Sequence, residues 1–230
     1  MAGYYAGRLD GERLDACYAL AGARVRQYLE AEIAHLRSRL AAGERVLELG
    51  CGTGRVALQL LGEGRRVVGI DTAPASLALA AARTPMGAAA SFLCMDAAHL
   101  AFADASFDAV ACVQNGVCAF GVDQAQLLRE ALRVLRRGGR ALFSTYSDSF
   151  WPQRLGWFEA QAAAGLLGPL DRAACRDGFI VCADGFRSGR LTPAALAALC
   201  ARAGASGAIN EVDGSSVFCE LTKPRGGSSR

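Results

Sequence analysis

The sequence predicts an α/β fold: a seven-stranded, mainly parallel sheet with helices on both faces and an antiparallel C-terminal strand. Two observations predict it. From residue 45 to 147, apolar runs of strand length alternate with helix-patterned segments, and that alternation implies right-handed crossovers between parallel strands. Near the end, AINEVDGSSVFCELTK (208–223) reads as two strands around Asp213-Gly214, a hairpin signal that turns the last strand back.

Taken in order, residues 12–42 read as helical, because Leu14, Tyr18, Val25, Leu29, Ile33, Leu36 and Leu40 recur at three- and four-residue spacing. Gly22 divides the segment and Gly43 stops it. RVLELG (45–50) is a first strand, RVALQLLGEG (55–64) a helix ending in glycine, and RVVGID (66–71) a second strand. ASLALAAAR (75–83) is a helix started by Pro74. SFLCMD (91–96) and FDAVACVQN (107–115) are the third and fourth strands. DQAQLLREALRVLRRGG (123–139) is an amphipathic helix with a glycine stop, and RALFSTYS (140–147) is the fifth strand. The alternation then breaks. Residues 148–190 carry both tryptophans, Trp151 and Trp157, and fit no single helix–strand unit. LTPAALAALCARAG (191–204) is a helix capped by Thr192 with Pro193 at its first position.

Composition bounds the function. A chain of 230 residues, 52% hydrophobic and 20% charged, is globular and large enough for one domain with an insertion. Its net charge of +3 does not by itself point to nucleic acid. Nine cysteines occur without a C-x-x-C pair, so neither disulfides nor a metal site is expected, and the setting is a reducing cytoplasm. Cys94, Cys112 and Cys219 sit in apolar runs and read as small core residues. No apolar stretch is long enough for a membrane span. The tail after residue 223 reads as a flexible end.

The chemistry concentrates in VLELGCGTGR (46–55). Glycine loses the most backbone freedom on folding, so Gly50, Gly52 and Gly54 directly after a strand mark a backbone that a ligand must approach. A dinucleotide loop needs G-x-G-x-x-G, and here its third glycine position holds Arg55. The E-x-G-x-G-x-G spacing instead resembles the first motif of class I S-adenosylmethionine-dependent methyltransferases. Asp71 at the end of the second strand, Asp96 after the third, Gln114-Asn115 after the fourth and RVLRRGGRALFSTY (133–146) agree with it. The resemblance covers residues 43–147 strongly and 191–223 in part.

It implies a Rossmann-like sheet with S-adenosylmethionine as cofactor. It also implies roles: Glu48 near the cofactor's amino group, Gly50, Cys51, Gly52 and Gly54 under its backbone-facing side, and Asp71 with Thr72 at the ribose. Asp96 with Ala97 falls at the adenine, and Gln114 with Asn115 at the methyl site. The family places acceptor recognition at the N-terminus and after the fifth strand. Residues 1–42 are therefore expected to form a helical cap on a methyltransferase domain of residues 43–223, with 148–190 as a substrate-side insertion. Tyr4, Tyr5, Tyr146, Trp151 and Trp157 are candidate substrate contacts, and Tyr5, Tyr146 and Asp148 candidate bases. The insertion is aromatic rather than basic and the fourth strand ends in QNGV rather than N-P-P-Y, so a small-molecule acceptor is expected, with no nucleic acid, no membrane, and a monomer or homodimer. A nucleotide-cofactor oxidoreductase and a non-catalytic S-adenosylmethionine-binding module are the competing readings.

Overall fold

The computed structural model describes residues 4–225, so most of the tail expected at 224–230 lies outside the described residues. Three helices come first: α1 (Tyr4–Arg8), α2 (Glu12–Ala19) and α3 (Ala23–Arg39). Gly22 is the N-cap of α3 and separates it from α2. The alternating region follows with β1 (Arg45–Leu49), α4 (Ala57–Leu60), β2 (Arg66–Asp71), α5 (Pro74–Ala82), β3 (Ala90–Cys94) and β4 (Phe107–Cys112). Then come α6 (Gly116–Ala119), α7 (Gln124–Val134) and β5 (Leu135–Tyr146). The insertion holds α8 (Trp151–Ala163) and a small hairpin of β6 (Ile180–Val181) and β7 (Arg187–Ser188). The chain closes with α9 (Pro193–Arg202), β8 (Gly207–Val212) and β9 (Ser216–Thr222).

The sheet has seven strands in the order β3-β2-β1-β4-β5-β9-β8. The first five are mutually parallel, and β9 runs antiparallel between β5 and β8. This is the mainly parallel, Rossmann-like sheet with an antiparallel C-terminal strand that the alternation predicts. Successive residues of a strand face opposite sides, and β1 shows it. Leu47 and Leu49 join one core with α7 and α9, while Val46 joins the other with α3 and α4. Both cores are fully closed: Leu127, Leu128, Leu36 and Leu60 are all inaccessible to solvent. Each such side chain stabilises the fold by about 1.5–3 kcal/mol relative to exposure.

Several boundaries differ from the sequence pattern, each for a local reason. The helix expected at 55–64 shrinks to α4, because Gly62 and Gly64 take left-handed φ values of 102° and 71°. The helix expected to reach residue 139 stops at Val134, and β5 begins directly at Leu135 with a register shift against β4. The third strand ends at Cys94, so Asp96 lies in a turn beyond it. The fourth ends at Cys112, and Gln114 and Asn115 both adopt left-handed backbone, with φ of 51° and 63°. Cys94, read as a core residue, is exposed because β3 is the sheet's edge. No helix among the described residues is long and apolar enough to cross a membrane.

The first two helices and the insertion pack on each other above the carboxyl ends of β1, β2 and β4. Leu9 and Cys17 share a cluster with Phe158, Ile180 and Phe186. Trp157 shares one with Tyr28, Tyr146 and Phe150, and its indole N–H donates to Cys17 O at 2.9 Å. The Tyr4 hydroxyl and Arg8 both reach Asp184, which latches α1 to the insertion.

Candidate active site

Between this roof and the strand ends lies a cavity of about 470 Å³. Its floor begins where β1 stops. The amides of Gly50 and Cys51 both donate to Ile70 O, at 2.8 and 2.9 Å, which pulls the loop against β2. Gly50 has φ 72° and lies so close to the Phe120 ring that any Cβ would overlap it. Gly52 has φ 51°, and a Cβ there would come within 2.8 Å of Leu14 in the roof. These two positions are the bare main chain that the spacing predicts. Gly54 does something else. It does not line the cavity; a Cβ there would press on Ala80 of α5 at 3.0 Å, so its bareness serves helix packing. With only four residues, α4 contributes little dipole, and the site rests on side chains and loop amides instead.

Asp71 joins loop to sheet. Its Oδ2 accepts from the Gly52 amide at 2.8 Å and its Oδ1 from the Ala73 amide at 2.9 Å. A carboxylate has about four acceptor positions, so about two remain for a ligand. Thr72 lines the cavity beside it. Asp96 and Ala97 line the same end. Asp96 is exposed, accepts from the Ala98 amide at 2.8 Å and sits 3.1 Å from His99 Nδ1.

The opposite end is deeper. Glu48 is 3% exposed, its Oε2 has no partner, and burial pushes its carboxyl up to about 7. Arg55 also lines the cavity, with its guanidinium 5.1 Å from the centroid of the Tyr18 ring. Its Nε and Nη2 are buried without a partner. Buried polar atoms are almost always hydrogen-bonded. Among the described residues only four buried side-chain atoms lack a partner, and three of them belong to Glu48 and Arg55. Tyr18 donates to Gln114 Oε1 at 2.9 Å, and the Gln114 amide donates to the buried Glu32 at 3.1 Å.

The structure therefore brings Glu48, Gly50, Cys51, Gly52, Asp71, Thr72, Asp96, Ala97 and Gln114 to one cavity with Tyr5, Tyr146 and Trp157. Besides Gly54, four other candidates are placed elsewhere. Asn115 is buried beside the cavity, where it accepts from Thr145 Oγ1 at 2.8 Å and donates to Gly189 O at 2.8 Å. Tyr4 faces Asp184 outside the cavity. Trp151 packs within the insertion, against the Arg154 guanidinium. Asp148 is exposed and paired with Arg190, so it does not reach the cavity as a base. The sequence pattern missed Leu14 and Tyr18, which it assigned to a helix stripe, and Arg55, which it read only as a missing glycine.

A methyltransferase-domain family model matches residues 46–139, the segment that holds the loop, Asp71 and Asp96. Residues 46–139 are thus similar to a methyltransferase domain, and they sit on the Rossmann-like sheet described above. It is 35% identical over 124 residues to the biotin biosynthesis bifunctional protein BioHC of Cellvibrio japonicus, covering 54% of this chain and 22% of that protein. It is 38% identical over 113 residues to a demethylmenaquinone methyltransferase of Beutenbergia cavernae, covering 47% of this chain and 43% of that one. The chain thus spans less than half the length of these curated relatives. The crystal structure of magnesium protoporphyrin IX methyltransferase from Synechocystis shares the fold, with a TM-score of 0.63 at 16% identity and 96% of each chain covered.

Proposed function

We propose that the protein transfers a methyl group from S-adenosylmethionine to a small molecule. The observation that carries this reading is the set of unpartnered atoms at the deep end of the cavity. Glu48 Oε2 is one free acceptor, and Arg55 Nε and Nη2 form a free two-pronged donor edge. An α-amino-acid head group, with an ammonium and a carboxylate, satisfies all three. The shallow end offers the remaining acceptor positions of Asp71 to a pair of ribose hydroxyls and Asp96 to an amino group on the base. The residues present thus fit the cofactor along its whole length.

S-adenosylmethionine supplies the chemistry, a sulfonium whose methyl carbon an acceptor atom displaces in line. The protein's own contribution is placement. Holding two reactants in line lowers a barrier by about 7–11 kcal/mol without any acid or base. Tyr5, Leu14 and Tyr18 line the cavity from the roof, with Leu14 directly over Gly52. A roof of two short helices over a cavity of about 470 Å³ suits a small acceptor rather than a polymer. The Beutenbergia relative, whose name gives demethylmenaquinone as its substrate, supports the same class. A cytoplasmic setting, where thiols stay reduced, suits the nine cysteines.

Incubation with S-adenosylmethionine and a panel of amines, thiols and phenols is expected to release S-adenosylhomocysteine with at least one of them. Tight binding of the cofactor with no release across the panel would leave a binding module. Preferential binding of a nicotinamide dinucleotide would overturn the reading.

Glu48 makes a second prediction. Burial raises its carboxyl to about 7 in the empty protein, so below neutral pH it is mostly protonated. A ligand ammonium favours the ionised form. Binding of S-adenosylhomocysteine at pH 6 is therefore expected to release close to one proton, and affinity should rise with pH through 7. Calorimetry in buffers of different ionisation enthalpy measures this, and Glu48→Gln should abolish the release. The sign for folding is the opposite. An acid whose pKa is raised by folding is bound to more protons in the native state, so the ligand-free protein loses this contribution as pH climbs from about 5 past 7.

A further inference from the structure

Beyond the cofactor positions, the cavity ends in flat walls formed by Tyr5, Tyr146, Trp157 and Phe158. Behind Tyr146 lies Arg154, only 1% exposed, its guanidinium 4.1 Å from the centroid of the Tyr146 ring. Its hydrogen bonds go to neutral oxygens alone: Gly178 O at 2.8 Å, Ser188 O at 2.7 Å, Ser188 Oγ at 2.9 Å and Gly189 O at 3.2 Å. Its Nε is the fourth unpartnered buried atom. Among the described residues no carboxylate forms an ion pair with it. A buried charge without a counter-charge is costly.

The buried carboxylates of Glu32 and Glu48 do not cancel it. Glu32 is turned to Ser144, Ser216 and the Gln114 amide, which satisfy it, and Glu48 lies at the other end beside Arg55. Against the burial that raises both hydroxyls, the field of Arg154 acts to lower those of Tyr5 and Tyr146, and at Tyr146 it outweighs Glu32. Among the described residues the same end also lacks a base. Burial nevertheless pushes the Tyr146 hydroxyl up to about 12 and that of Tyr5 higher still. Asp148 is outside, His35 pairs with Glu220 and His99 with Asp96.

Resting on the methyl-transfer reading above, we propose that the acceptor is a planar molecule bound as an anion, a carboxylate or an ionised phenol, with Arg154 as its counter-charge through Tyr146. The anion explains both features at once. It compensates the buried guanidinium, and it needs no base because it brings no proton to remove. The acceptor oxygen forms the bond to the methyl carbon, the carbon–sulfur bond breaks with its electron pair going to sulfur, and the charges of anion and sulfonium cancel. Arg154 does not itself line the cavity, so its role is to set specificity.

The test is equilibrium binding to protein saturated with S-adenosylhomocysteine at pH 8. The probe pairs are benzoate against benzamide and 4-nitrophenolate against 4-nitroanisole. Each anion is expected to bind at least tenfold more tightly than its neutral counterpart. Arg154→Gln should bring that ratio close to one without changing affinity for S-adenosylhomocysteine, and Arg154→Lys should restore most of it; a merely structural arginine would move neither ratio. Should the glutamine variant fail to fold, the wild-type ratio and the lysine variant decide. Equal or tighter binding of the neutral probes, preference for benzylamine, or failure of every anion to bind the saturated protein overturns the proposal. Failure of S-adenosylhomocysteine itself to bind overturns the cofactor reading instead.

Discussion

Asp71→Ala is expected to weaken S-adenosylmethionine binding about 100-fold. The carboxylate works on both sides of the site. Toward the protein it holds the Gly52 amide at 2.8 Å and the Ala73 amide at 2.9 Å, which fixes the bare loop against the end of β2. Toward the cavity it keeps acceptor positions for two hydroxyls. Hydrogen bonds to a charged group contribute about 1.5–3 kcal/mol each, so losing two at the lower bound removes about 3 kcal/mol. At about 1.4 kcal/mol per tenfold this is about two decades of affinity. The truncation also strands the Gly52 amide, which at φ 51° has no other partner in the loop. Asp71→Asn separates the two effects: it keeps one acceptor oxygen for the protein or the ligand but not for both, so its affinity should fall between wild type and alanine. Titration calorimetry gives the affinities, and a thermal melt without ligand gives the structural part. Unchanged affinity in a folded Asp71→Ala protein would remove the residue from the sugar's binding site.

Asp71 was legible in the sequence because strand, glycine spacing and acid all lie within a short stretch, where local rules decide the outcome. The same holds for β1 and β2 and for α9 with its Thr192 cap, whose hydroxyl accepts from the Ala195 amide. What was illegible depends on contacts far apart in sequence. Arg55 is unremarkable until α2 folds back and sets Tyr18 beneath its guanidinium. Leu14 is one more apolar helix position until it covers Gly52. Tyr4 and Tyr5 are neighbours, yet successive positions on a helix point about 100° apart, so one meets Asp184 and the other the cavity. Which of them does which follows from how α1 docks on the insertion. Asp148 failed as a candidate base for a related reason. The turn after β5 points it outward to Arg190, and a position just past a strand end does not fix that direction.

Arg55→Met is expected to separate stability from binding. In the ligand-free protein, the Nε and Nη2 atoms of Arg55 are buried with nothing to donate to, and an unsatisfied buried donor costs about 1–3 kcal/mol. Methionine fills similar volume without that penalty and keeps contact with the Tyr18 ring. Against this, removing the guanidinium takes away a positive charge that favours ionised Glu48, but Glu48 can take up a proton instead. The two effects nearly balance, and the ligand-free variant should melt within a few degrees of wild type. Binding has no such escape. A carboxylate on the two-pronged edge loses both charge-assisted bonds, and at about 1.5–3 kcal/mol each affinity for S-adenosylmethionine should fall at least 100-fold. The thermal shift produced by saturating ligand, which scales with the logarithm of affinity, should shrink accordingly. Arg55→Lys retains the charge but not the planar fork, so it should recover only part of the loss. A variant that melts much lower than wild type yet binds normally would make Arg55 a structural residue and leave the carboxylate of the cofactor to another partner.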